Sequence, residues 1–122
     1  MENNLLERVK AFSFSVFDLV RLIRPTLITR NAISQIIRSA SSIGANYSEA
    51  LGACSRRDFK NKIFICKKEI HETRYWLDIL AHFGPFQGLS ELRQEALELN
   101  LIFNKITYTL NENDRIKKSK TS

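Results

Sequence analysis

The 122-residue chain contains only two prolines and four glycines. A many-stranded β fold needs turn material about every 8–12 residues. This scarcity disfavours such a fold and favours a few long helices. Cysteine is also sparse, Cys54 and Cys66 being the only two. They form neither a disulfide framework nor a Cys-x-x-Cys knuckle, so a reducing, cytoplasmic setting is expected. No apolar run approaches the roughly 18 residues of a membrane span. The opening MENNLLERVK carries Glu2 and Glu7 and no long apolar stretch, which does not fit a secretory signal.

The usual signatures of catalysis are missing too. There is no Gly-rich phosphate loop, and neither His71 nor His82 has a Glu three residues before it, as di-metal helical bundles require. Cys66 falls on an apolar stripe, where a free Cys usually acts as a small buried hydrophobe. Cys54 sits in a turn without an activating neighbour. No enzyme, metal or cofactor is expected.

What remains is a chain with 43% apolar and 26% charged residues, ordinary for one soluble domain. Its net charge of +6 and pI near 9.6 suit contact with nucleic acid or another polyanion. The apolar residues recur at alternating spacings of three and four in four segments. These are Leu5–Ile23, Ile33–Ala50, Phe59–Leu80 and Leu92–Leu110. Such stripes predict helices that each bury one face. Punctuation agrees: Pro25 should end the first, Thr29 should cap the second, and Gly52 should stop it. Ser55-Arg56-Arg57-Asp58 resembles a capping box for the third helix, Gly84-Pro85 closes it, and Leu89-Ser90 supplies a staple and cap for the fourth. Short connections make neighbouring helices antiparallel. The expectation is an all-α, up-down-up-down four-helix bundle over residues 1–112, with 113–122 a polar, mobile tail.

The second helix is unusual in composition. Within SASSIGANYSEALG an apolar stripe continues from Ala40 to Ala50, beside a polar seam of Gln35, Ser39, Ser42, Asn46 and Glu49. A solvated face would more usually carry Lys and Glu, which are better helix formers. Gly44 alone costs about 1 kcal/mol relative to Ala in a helix interior. Small polar residues and a thin helix therefore point to a close neighbour, within or between chains. Antiparallel pairing of the second and third helices would put Arg38 level with Glu69, where a two-pronged ion pair could fix register. Tyr75 and Trp76 are adjacent, so one of them is available for a contact between subunits. The candidate interface residues are Ser42, Gly44, Asn46, Glu49, Glu72 and Trp76.

The start of the third helix carries a different signal. From Arg56 to Lys68 there are six basic residues and one acid, Asp58. Arg56, Arg57, Lys60 and Lys67 are the candidate nucleic-acid-binding residues, acting by phosphate neutralisation without base reading. Arg115, Lys117, Lys118 and Lys120 form a second basic cluster in the tail. The competing readings are a solvated face, or docking onto acid such as Glu91, Glu95 and Glu98 of another subunit.

Residues Ser34 to Leu80 resemble a known family. The features are the Arg-Ser-Ala-x-Ser-Ile-x-Ala-Asn-x-x-Glu-Ala run from Arg38, the Arg-x-Asp-Phe start from Arg56, and Lys-Glu-Ile-x-Glu-Thr-Arg-Tyr-Trp-Leu from Lys68. They are similar to the four-helix-bundle proteins encoded in intervening sequences of bacterial large-subunit ribosomal RNA genes. The accessory variability proteins of diversity-generating retroelements are relatives. The resemblance implies a homopentamer of antiparallel bundles without enzymatic activity. In the retroelement branch it also implies binding to a reverse transcriptase and to nucleic acid through a basic surface. Many members have Gly-Ser where this chain has Lys68-Glu69. The resulting expectation is a cytoplasmic, oligomeric protein that binds nucleic acid, RNA ahead of DNA. The alternative is a structural assembly or accessory protein that binds a protein partner.

Overall fold

The heptad-spaced stripes become four helices: α1 Glu2–Val20, α2 Arg30–Leu51, α3 Arg56–Phe83 and α4 Leu89–Thr121. The computed structural model describes residues 2–121, and no strand occurs among them. The stripe residues form the core. Val9, Val16, Ile36, Ile43, Ile63, Leu80, Leu99 and Phe103 are fully enclosed. Each such side chain contributes about 1.5–3 kcal/mol relative to exposure. α1 packs on α2 and α4, and α3 packs on the same two helices. The pairings run in opposite directions along neighbours. Arg38 meets Glu69 and Lys62 meets Glu49 across α2–α3, while Arg93 meets Asp78 and Arg56 meets Asp114 across α3–α4. The four-helix bundle therefore has the expected antiparallel order. No described helix is long and apolar enough to cross a membrane.

The helix ends follow the local chemistry, with three departures. α1 stops at Val20, five residues ahead of Pro25, because Leu22 and Ile23 switch to amide bonds with the carbonyls three residues back. Ile23 still reaches the core from this tightened turn. Thr29 has a helical backbone and no capping bond to α2. Thr26 caps instead: its Oγ1 accepts from the Thr29 amide at 3.1 Å, while the Thr26 amide donates to Thr29 Oγ1 at 3.0 Å. This is the reciprocal geometry of a capping box with Thr in place of Glu. α4 starts at Leu89, not after a Ser90 cap, and Gly88 in front of it has φ +88. Nothing crowds Gly88, so backbone conformation and not space favours glycine there. Ser55, by contrast, caps α3 as expected, its Oγ accepting from the Asp58 amide at 3.0 Å.

The C-terminal segment also departs from expectation. In place of a polar tail from 113, α4 continues to Thr121. Glu112 and Arg115 pair along the helix, and Asp114 bonds across to α3. Glu112, Arg115, Lys117, Lys118 and Lys120 are good helix formers that offset the weaker Asn, Asp, Ser and Thr among them, and extending an existing helix is far easier than nucleating one.

α2 meets both α1 and α3 through its small residues. Buried Ser13 of α1 donates to Ala40 O at 2.9 Å, and Cys66 of α3 approaches Ile43 O at 3.5 Å. Thr73 Oγ1 donates to Ser39 Oγ at 2.8 Å, both residues having no exposed surface. Gly44 lies against α1, so α1 is a close neighbour that the thin segment meets. A Cβ at Gly44 would nevertheless meet Val9 Cγ1 at 3.5 Å and Ser13 Oγ at 3.9 Å, which is ordinary contact. Gly44→Ala should therefore be tolerated and stabilise by up to about 1 kcal/mol through helix propensity. Gly44→Leu should overfill the seam and destabilise by about 1–3 kcal/mol. Denaturant melts of the two variants check this, and loss of stability in the Ala variant would show a tighter seam than described.

Candidate nucleic-acid interface

The Ser55 cap fixes where α3 begins, and so where its first turn presents Arg56, Arg57 and Lys60. Because α4 runs antiparallel to α3, its last turns return beside that cap. Arg56, Arg57, Lys60, Asn61, Asp114 and Lys117 line a shallow depression of about 460 Å³. Asp114 Oδ1 accepts from Arg56 Nε at 3.4 Å and Nη2 at 3.2 Å, and its Oδ2 accepts from Lys60 Nζ at 2.5 Å. These donors, Lys60 first and then Arg56, hold the Asp114 carboxyl below the usual range. Lys60 also lies 5.9 Å from the centre of the Phe64 ring. Arg57 and Lys117 have no carboxylate within ion-pair distance among the described residues.

The structure thus brings together three of the four candidate cations. Lys67 lies two turns further along α3, half-buried and outside the depression. Lys62 is bound to Glu49 of α2 at 2.9 Å, which raises its pKa. Asp114 is the participant that the sequence does not single out, whereas Lys117 belongs to the basic cluster expected after α4; only the register of α4 against α3 brings both to the start of α3. The charge alternation Glu112, Asp114, Arg115 was the available signal, compatible with a continued helix.

A second polar cluster crosses the α2–α3 seam. Arg38 donates to Glu69 Oε2 at 3.2 Å and Oε1 at 3.3 Å, and also to Glu72 Oε2. Trp76 Nε1 donates to the same Glu72 oxygen at 3.2 Å. The Arg38 guanidinium holds the Glu72 carboxyl below its ordinary value, and the Trp76 N–H adds to this against the opposing effect of burial. Of the remaining candidate interface residues, Asn46 Nδ2 donates to Ser42 O at 2.8 Å and Ser42 Oγ at 2.9 Å. Glu49 is exposed and paired with Lys62. On the far side of the bundle, Glu95 and Glu98 are taken by Arg8 of α1, so within this chain they already have a cation.

No group of three His, Cys, Asp or Glu among the described residues could hold a metal ion. Burial pushes the Cys66 thiol up to about 12, far from a thiolate nucleophile at neutral pH.

Fold and site together define a small, basic, all-α four-helix-bundle protein. Within that class, the chain belongs to the 23S rRNA-intervening sequence protein family, whose family model matches residues 2–105. The match takes in α1 and about half of α4 as well as the α2–α3 motifs. A solved structure from Bacteroides thetaiotaomicron, described as a protein with unknown function from the S23 ribosomal protein family, is 29% identical. It covers 88% of this chain and 99% of its own, with a TM-score of 0.73. No curated protein matches the chain.

Glu69 is nearly enclosed, so Arg38→Ala would leave a carboxylate without its cation. The expected loss is roughly 2 kcal/mol, below that for a fully buried pair because Arg38 is half exposed. Arg8→Ala should cost less than about 1 kcal/mol, since all its partners are solvent-accessible. Because the folded Glu72 carboxyl lies below its unfolded value of about 4.3, its pairing contributes fully above that pH. The contribution is lost as pH falls through the folded pKa. Melts between neutral pH and pH 3 should show a smaller acid-induced loss in Glu72→Gln than in the wild type, and equal losses would refute the linkage.

Proposed function

We propose that this chain is a non-enzymatic, cytoplasmic, oligomeric bundle that binds nucleic acid through the basic depression at the start of α3. The observation that carries this reading is the convergence of Arg56, Arg57, Lys60 and Lys117 on one surface from two helices. Phosphate oxygens are matched by the guanidinium and ammonium donors that line the depression. The family is named for 23S rRNA and the structural neighbour for a ribosomal protein family, and both names favour RNA over DNA. Lys67 would extend the contact along α3.

Association of several copies supports the same reading by repeating a weak site. Large apolar side chains stand in solvent at the α1–α2 corner (Leu22, Leu27, Ile28) and along α4 (Leu97, Leu101, Tyr108). Apolar side chains grouped in this way would suit contact with another chain. A homopentamer, as the resemblance implies, would array the depressions around a ring and add avidity. Glu49 and Glu72 would support such packing by holding α2 and α3 in register through Lys62 and Arg38, with Ser42, Gly44, Asn46 and Trp76 as the further candidate interface residues. These apolar surfaces also favour the second reading, in which the bundle binds a protein partner and no nucleic acid.

Salt titration of binding to a mixed-sequence RNA separates the two. Log affinity should fall linearly with log salt, by about 0.7 per phosphate neutralised on a single strand. Arg57→Glu with Lys117→Glu should weaken binding and flatten that slope without altering oligomer size. Binding that ignores both salt and the double substitution would leave the protein-partner reading.

A further inference from the structure

We propose that Asp114 is an internal counter-ion that occupies the phosphate position of the basic depression, making the C-terminal end of α4 an autoinhibitory strap. The inference rests on the phosphate-binding reading above and adds its regulation. Asp114 bridges a guanidinium and an ammonium group through both carboxylate oxygens. A phosphodiester oxygen would use the same donors, Arg56 Nε and Nη2 and Lys60 Nζ, in the same place. Binding there requires Asp114 to leave.

The element that carries Asp114 is suited to leaving. Leu110 is the last buried residue of α4, and none from Asn111 through Lys120 is buried. This end of the helix therefore commits no side chain to the core, and exposed ion pairs at its edge contribute little stability. Helix ends open locally at small cost. Asp114 is the only acid from residue 113 onward, among Arg115, Lys117, Lys118 and Lys120. Displacing it frees Arg56 and Lys60 and leaves a strap of net positive charge, able to follow the same phosphate chain. The family match ends at residue 105, so Asp114 and Lys117 lie outside what the family pattern specifies.

Apparent affinity in such a device is the intrinsic affinity scaled by the fraction of open molecules. Removing the carboxylate raises that fraction. Anisotropy titrations of the full chain with a labelled, mixed-sequence single-stranded RNA test this across a salt series. Asp114→Asn should bind about tenfold tighter than the wild type at fixed salt. Its salt slope should steepen by roughly 1–1.5, for two cations released. Glu112→Gln makes the same change in charge two residues away but removes an ion pair to Arg115, outside the depression, and it should stay near wild type. Equal gains in both variants would reduce the effect to net charge and overturn the strap. No gain in Asp114→Asn, with Arg57→Glu still weakening the wild type, would overturn the strap and leave the phosphate reading standing. Absence of binding by wild type and Asp114→Asn alike would defeat both. Asp114→Ser, read in the same way with melting and oligomer size as controls, guards against a folding artefact of one variant.

Discussion

The α2–α3 seam depends on a hydroxyl pair that water cannot reach. Thr73 donates to Ser39 at 2.8 Å with both side chains enclosed. A single hydrogen bond of this kind adds only about 1 kcal/mol net, but an unmatched buried hydroxyl costs as much or more. The pair therefore selects one register more than it adds stability. Once that register is set, Arg38 falls opposite Glu69 and Glu72, Cys66 falls against Ile43, and Lys62 falls opposite Glu49. α3 then presents its outer face to α4 at a fixed height. The meeting of Arg56 and Lys60 with Asp114 is a consequence, about four to five turns along α3, of what happens inside the seam.

The weak helix formers of α2 are explained by this role. Ser39 is there to bond, Ala40 exposes its carbonyl to Ser13, and Asn46 folds back onto Ser42. Gly44 is the exception, since the space beside it would accept a methyl group. Hydrophobic burial supplies most of the stability, and the small polar residues decide which helix faces meet. Polar clusters then divide by exposure: Glu69 is enclosed and tied to its cation, whereas Asp114 is accessible. That difference is why the proposed phosphate exchange falls on Asp114 and not on Glu69.

Much of the fold was legible in the chain. Alternating spacings of three and four, with few breakers, defined four helices, and short connections set their order. The level pairing of Arg38 with Glu69 followed from counting back and forward from the turn near Cys54. The end of α1, the Thr26 cap and the Leu89 start were less legible, because hydroxyls and tightened turns compete for the same orphan amides with similar energies. The candidate site was half legible. Arg56, Arg57 and Lys60 are close in sequence and share one helix end, so local spacing grouped them. Lys67 satisfied the same spacing but lies beyond the depression, since a helix face extends further than a site does.

By itself the sequence determined the class of the molecule, an all-α bundle with a basic third helix, because periodicity and charge are local properties that survive without neighbours. It also carried the α2–α3 motifs that mark the family. Only the tertiary structure decided that the polar segment after Leu110 remains helical, and that Asp114 and Lys117 return to the start of α3. Those residues are more than 50 positions from their partners in the chain. No local pattern encodes such a meeting. It follows from two antiparallel helices of particular lengths packed in one register, and that register is set in the buried core, not at the surface where the charges meet.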